Sequence, residues 1–178
     1  TSGGEAFLRS ILDAFPSPVL VVDADQAIYD ANRAASALVG AAPEVVLRRL
    51  CGELLHCLHA MRSSKGCGGT TFCSDCVVRE AAAAACSGEQ VFRKLHTMEL
   101  ETDGEVRKVH FRISGSPLDH DGRRLALLVL EDVTELVELR GLLPMCAGCR
   151  KVRNDKQFWQ HVESYLEENT SLKFTHGL

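Results

Sequence analysis

No apolar run approaches the roughly 20 residues that a membrane-spanning helix needs, and the first residues, Thr1-Ser2-Gly3-Gly4-Glu5, have neither the basic start nor the apolar core of a secretion signal. The expectation is a cytoplasmic protein with no membrane contact. Basic residues are not in excess: 20 Lys and Arg stand against 24 Asp and Glu, for a net charge of −4. A dedicated nucleic-acid binder would need a basic face, so nucleic acid is not an expected partner. No Rossmann or P-loop glycine pattern occurs, nor a kinase or hydrolase nucleophile motif. Catalysis by this chain is not expected.

What remains is a chain of 178 residues, 46% hydrophobic and 25% charged, the balance of a folded globular protein. Eight cysteines depart from that ordinary picture, at positions 51, 57, 67, 73, 76, 86, 146 and 149. Disulfide-rich scaffolds are usually short, secreted and loop-rich. In a reducing compartment, clustered cysteines point instead to metal binding or redox chemistry.

Hydrophobic spacing divides the chain. Ser2 and Glu5 have capping-box spacing, and Phe7, Leu8, Ile11, Leu12 and Phe15 recur at helical period. Residues 4–14 are thus predicted as an amphipathic helix in an N-terminal segment 1–15, stopped by Pro16-Ser17-Pro18. Val19–Val22 and Ala27–Asp30 read as two strands around an Asp-rich turn. Short helices are predicted across 31–39 and from Pro43. Residues 50–76 are rich in Cys, Gly, Ser and His without a clear period, and Asp75 can cap a helix over Cys76–Cys86. Strands are predicted over 90–101, 105–114 and 125–130, with Asp121-Gly122 as the last turn. Asp132 and Glu135 offer a second capping box, opening an output helix over 133–143. The order predicts an α+β domain over 16–132 with one antiparallel sheet of five strands.

This order resembles the PAS sensory domain family. The resemblance rests on Ile11-Leu12-Asp13-Ala14-Phe15-Pro16-Ser17-Pro18-Val19-Leu20-Val21-Val22-Asp23, on Ala31-Asn32-Arg33-Ala34-Ala35 and on Leu130-Glu131-Asp132-Val133-Thr134-Glu135, and covers residues 5–135. It implies helices on one face of the sheet, and a sensor and dimerisation module that holds a cofactor or small molecule between sheet and helices and passes a change to a C-terminal helix. Fold alone does not name the signal.

The middle segment reads Cys57-x9-Cys67-x5-Cys73-x2-Cys76, with Gly66, Gly68 and Gly69 around the second cysteine. Four thiolates satisfy either tetrahedral zinc or a [4Fe–4S] cluster. Structural zinc sites commonly use two CxxC knuckles, and the single CxxC here tilts the reading toward iron–sulfur. The pattern also resembles a cysteine-rich variety of PAS domain in bacterial signalling proteins. Capping by Asp75 would place Cys76, and nearby Cys73, at a positive helix end that lowers their thiol pKa. Zinc as a structural staple, and metal-free thiols cycling to a disulfide, are the alternatives. Cys51 and Cys86 read as buried small apolar residues, and His56 and His59 as solvated or hydrogen-bonded neighbours. A haem would need His96 or His110 turned inward.

In the tail, 144–178, Cys146-Ala147-Gly148-Cys149 forms a second CxxC, followed by a predicted helix capped by Asn154 and carrying Phe158, Trp159, Val162, Tyr165 and Leu166. This resembles a C-terminal module of bacterial signalling proteins that ends in S-H-G-[IL]-C-x-x-C. Here Thr175 replaces the serine, and Leu178 stands where the second pair would begin. The resemblance therefore implies a truncated module, with Cys146, Cys149 and His176 as an incomplete second metal site. The combined expectation is a homodimeric sensor of redox state or oxygen that relays to a C-terminal effector.

Overall fold

The computed structural model describes residues 2–38, 47–102, 104–140, 145–154 and 158–169. The chain divides after Thr134 into two compact units. The first opens with helix α1 (Ser2–Ala14), which starts two residues before the expected helix 4–14. Its stripe is uncovered, with Phe7 65%, Leu8 62%, Ile11 41% and Phe15 48% exposed.

Strands β1 (Val19–Val22) and β2 (Ile28–Ala31) follow as an antiparallel pair, and β1 is buried along its whole length. Helix α2 (Arg33–Leu38) starts from Asn32, which is 1% exposed. The Asn32 Oδ1 accepts from the N–H groups of Ala35 (3.0 Å) and Val19 (2.9 Å), while Nδ2 donates to the carbonyls of Leu12 (3.1 Å), Phe15 (3.3 Å) and Ser17 (3.0 Å). One buried carboxamide therefore caps a helix and fixes the bend that separates α1 from β1. The helix predicted from Pro43 lies outside the described residues.

Residues 50–76, aperiodic in sequence, contain two one-turn helices, α3 (Cys51–Leu54) and α4 (Leu58–Met61), and a 3-10 turn at Thr71–Asp75. Leu54, Leu55, Leu58 and Ala60 are buried. Helix α5 (Val77–Cys86) is capped by Cys76, not by Asp75 as expected. The 3-10 turn takes up Asp75, so the first residue free to leave helical geometry is the next one.

Strands β3 (Val91–Thr102), β4 (Glu105–His120) and β5 (Arg123–Asp132) complete an antiparallel sheet of order β2-β1-β5-β4-β3. The alanines of α5 press on it, with Ala81, Ala82 and Ala85 wholly buried. Gly115 in β4 permits that approach, since a Cβ there would stand 3.0 Å from the Ala81 carbonyl oxygen. The turn between β4 and β5 is Asp121-Gly122, with φ +48° and +72°. Two consecutive left-handed residues match the twist of a tight hairpin.

Asp132 accepts from the Thr134 N–H (2.9 Å), the Val133 N–H donates to the His110 carbonyl (2.8 Å), and the His110 N–H donates to Thr134 Oγ1 (2.9 Å). These bonds tie the end of β5 to β4 as helix α6 (Thr134–Arg140) begins.

In the second unit, β6 (Val152–Arg153) pairs with β7 (Trp159–Gln160), and helix α7 spans Val162–Asn169. The helix expected from Asn154 is displaced: Asn154 Oδ1 accepts from the Phe158 N–H (3.0 Å) and closes a hairpin loop. Phe158 and Trp159 consequently lie ahead of the helix, 70% and 48% exposed.

Candidate functional site

A cavity of about 500 Å³ lies between the short helices and strands β3 and β4, and Cys57, Cys67, Cys73 and Cys76 all line it. Each is brought there by a different device. Cys57 precedes α4, with its N–H on the Gly52 carbonyl (2.8 Å) and a bridge to Leu100 of β3. Cys67 rides on a glycine-rich turn in which Gly66 and Gly68 take φ of +68° and +91°. Its side chain rests on α3, so close that a Cβ on Gly52 would stand 2.8 Å from Cys67 Sγ. Cys73 belongs to the 3-10 turn, 3.2 Å from Thr70 Oγ1, and Cys76 caps α5.

The thiols are electrostatically distinct. Burial pushes Cys76 up, a push reinforced by Cys67 and Cys57 and opposed by the backbone N–H groups of Arg79 and Val78. The depressed pKa expected from the helix end is therefore not found at Cys76. Burial also pushes Cys73 up, but hydrogen bonding by Thr70 and Gly68 and the charge of Arg79 outweigh it and hold the thiol below its ordinary value. The turn ahead of the helix supplies that depression. Among the described residues no three His, Cys, Asp or Glu side chains stand close enough to hold a single metal ion.

Cys51 also lines the cavity, 1% exposed, with Sγ donating to the Gln26 carbonyl (3.6 Å). Burial pushes its thiol up to about 12. His59 lines the cavity stacked on Phe72, with ring centroids 4.3 Å apart. His96 lines it too, and burial lowers its pKa. His110 does not line it and bonds to Thr97 Oγ1 (2.9 Å). Cys86 ends α5 away from the cavity.

Sequence reasoning missed two polar groups in this wall. Gln26 is 3% exposed with backbone φ +67°, and its Oε1 has no hydrogen-bond partner among the described residues. Its place in an Asp-rich turn, 25 residues before Cys51, gave no sign that it would face the cysteines. Arg79 reaches the cavity from the first turn of α5. Its spacing of three from Cys76 is the one signal that could have found it.

At the second cysteine pair, the Cys149 N–H donates to Cys146 Sγ (3.5 Å), and hydrogen bonding from Cys149 and Gly148 lowers the Cys146 pKa. The Cys146 N–H donates to the Lys151 carbonyl (2.8 Å), and Arg150 takes φ +55°. Both thiols thus sit on one tight turn. His176, expected as a further ligand, lies outside the described residues.

A family model for the PAS fold matches residues 12–138, and the chain belongs to that family of sensory domains found in signalling proteins. The solved structure of an RNA-binding Light-Oxygen-Voltage receptor is similar in fold, with TM-score 0.54 and 24% identity over 78% of this chain and 36% of that one. The chain thus spans about a third of that receptor. The PAS domain of an HTR-like protein from Haloarcula marismortui has 20% identity and TM-score 0.47, covering 74% of this chain and 99% of that one. The PAS domain of Bordetella pertussis BvgS has 19% identity and TM-score 0.46, covering 78% and 93%. No curated protein matches the chain. No described helix is long and apolar enough to cross a membrane.

Proposed function

We propose that this PAS domain reports redox state or oxygen through a [4Fe–4S] cluster held by Cys57, Cys67, Cys73 and Cys76, and relays the state to an effector through the helix that begins at Thr134. The observation that carries the reading is the meeting of these four thiols on one cavity. Structural zinc sites commonly join two CxxC pairs, whereas here one CxxC is joined by two separated cysteines, which favours iron–sulfur over zinc. Such a cluster would supply one-electron chemistry at a potential tuned by hydrogen bonds to sulfur and by exposure.

The chain's own part is attachment. Cys57 and Cys76 belong to the ordered frame, one bridged to β3 and the other capping α5. Cys67 and Cys73 belong to the irregular turn between them. Four-point attachment ties that turn to α5, which lies on β4 and β5, and the end of β5 leads to Thr134. The two states must differ in contacts along this route for a signal to pass. The exposed stripe of α1 supports pairing with a second copy, as expected for a dimeric sensor.

Anaerobic purification with iron, sulfide and zinc quantified on one sample tests the reading. Near-stoichiometric iron and sulfide, with visible absorption that dithionite bleaches and that Cys73→Ser abolishes, is the expected result. Stoichiometric zinc would make the cysteines a staple. A metal-free protein whose free-thiol count follows reductant would make them a switch.

A further inference from the structure

Arg79 is half-buried, and no carboxylate among the described residues comes within ion-pair distance of its guanidinium. Its side-chain hydrogen bond goes to a sulfur, with Nη1 donating to Cys67 Sγ at 4.0 Å. Room for it is made by Gly68, where a Cβ would stand 2.8 Å from Nη1 and 3.1 Å from Cζ. A guanidinium stays protonated at any working pH. A partly desolvated cation without a counter-charge is costly, so this charge needs an anion close by.

The other charges of the wall do not provide it. Asp75 is exposed, and Glu99 sits directly across the β3–β4 ladder from Lys108. The start of α5 adds to the same polarity. Helix α5 begins at the cavity, where Cys76, Val78 and Arg79 line its wall, and its first N–H groups, those of Val78 and Arg79, already face the Cys76 sulfur.

We infer that the occupant of this cavity is anionic and that Arg79 is its counter-cation, acting beside the thiols as a positioning residue. A thiolate-ligated iron–sulfur group carries net negative charge and meets this requirement, so the inference deepens the reading above. A small-molecule anion would meet it as well, and the two sources separate in one experiment.

The full chain and its Arg79→Gln, Arg79→Lys and Cys73→Ser variants are purified anaerobically in parallel. Iron, sulfide and zinc are quantified, any other occupant is weighed by native mass spectrometry, and circular dichroism confirms that each variant is folded. Loss of one charge-assisted hydrogen bond is expected to lower the fraction of Arg79→Gln carrying the group about tenfold or more, with Arg79→Lys retaining most of it. Where the group contains iron, removing the cation shifts the midpoint potential of the remaining loaded Arg79→Gln to more negative values. Loss in Cys73→Ser as well makes the anion a cysteine-held group. Retention there, with loss in Arg79→Gln, makes it a small-molecule anion, which overturns the iron–sulfur reading and leaves the role of Arg79 standing. Equal occupancy and equal potential in folded Arg79→Gln overturn the inference, and so does wild-type protein that carries neither metal nor anion.

Discussion

The cysteines of this domain share a residue type but not a chemistry, and their surroundings decide which is which. Cys51 is sealed in the core with its thiol pushed up to about 12 from an ordinary 9.0. Iodoacetamide at pH 8 should leave it unlabelled in the folded protein, with labelling restored in denaturant, as peptide mass mapping would show. Because its folded pKa lies above its unfolded one, its contribution to stability is present below pH 9 and is lost as pH rises toward 12. Gly52 is tied to Cys67 by the absence of a side chain. Gly52→Ala should cost about 1–3 kcal/mol of overpacking, checked by thermal melting, and under the proposed iron–sulfur function should lower iron content, checked by metal analysis. That Cys57, Cys67, Cys73 and Cys76 belong together was legible from their spacing, and all four do line one cavity. Gln26 and Arg79 were not legible, because their meaning depends on which segments fold against the cysteines.

At the level of elements, the strands were legible where apolar residues alternate or run together, as in Phe111, Ile113 and Leu125–Leu130. The far half of β4 was not. Gly115, Ser116 and Pro117, beyond the strand predicted to 114, look like a loop, yet they pair with β5 through Pro117↔Ala126. Pairing with β3 ends at Gly115, so β4 is open on one side from Ser116 onward and a residue without an N–H is tolerated there. Gly115 itself is where α5 comes down on the sheet. A Gly115→Val substitution should lower the unfolding free energy by about 2 kcal/mol or more, read from a denaturant titration, since the backbone carbonyl of Ala81 cannot swing aside as a side chain could. The hairpin Phe158–Trp159 was read as helix because its aromatic spacing suits either. The Asn154 side chain, bonding to Phe158, decides it.

For the first unit as a whole, acid should weaken the fold in two stages. Burial lowers the His96 pKa from 6.5, so its contribution is present above that value and is lost as pH falls below it. Hydrogen bonding to Arg112 lowers the Glu131 pKa from 4.5, so that contribution is lost as pH falls below 4.5. The Arg112–Glu131 pair lies at 2.7 Å but is open to solvent, so the second stage should be the smaller. Melting temperature measured from pH 7.5 down to 3.5 should show both, and Arg112→Met should flatten the lower one alone. The sheet order carries a separate consequence. The first strand lies beside the last, with Val19 opposite Val129 and the Leu130 N–H on the Pro18 carbonyl (3.0 Å). The polypeptide therefore arrives at the sheet and departs from it at neighbouring points on one rim. A domain with such ends can be spliced into a longer chain like a side loop, leaving the flanking segments almost as close as if nothing had been inserted between them.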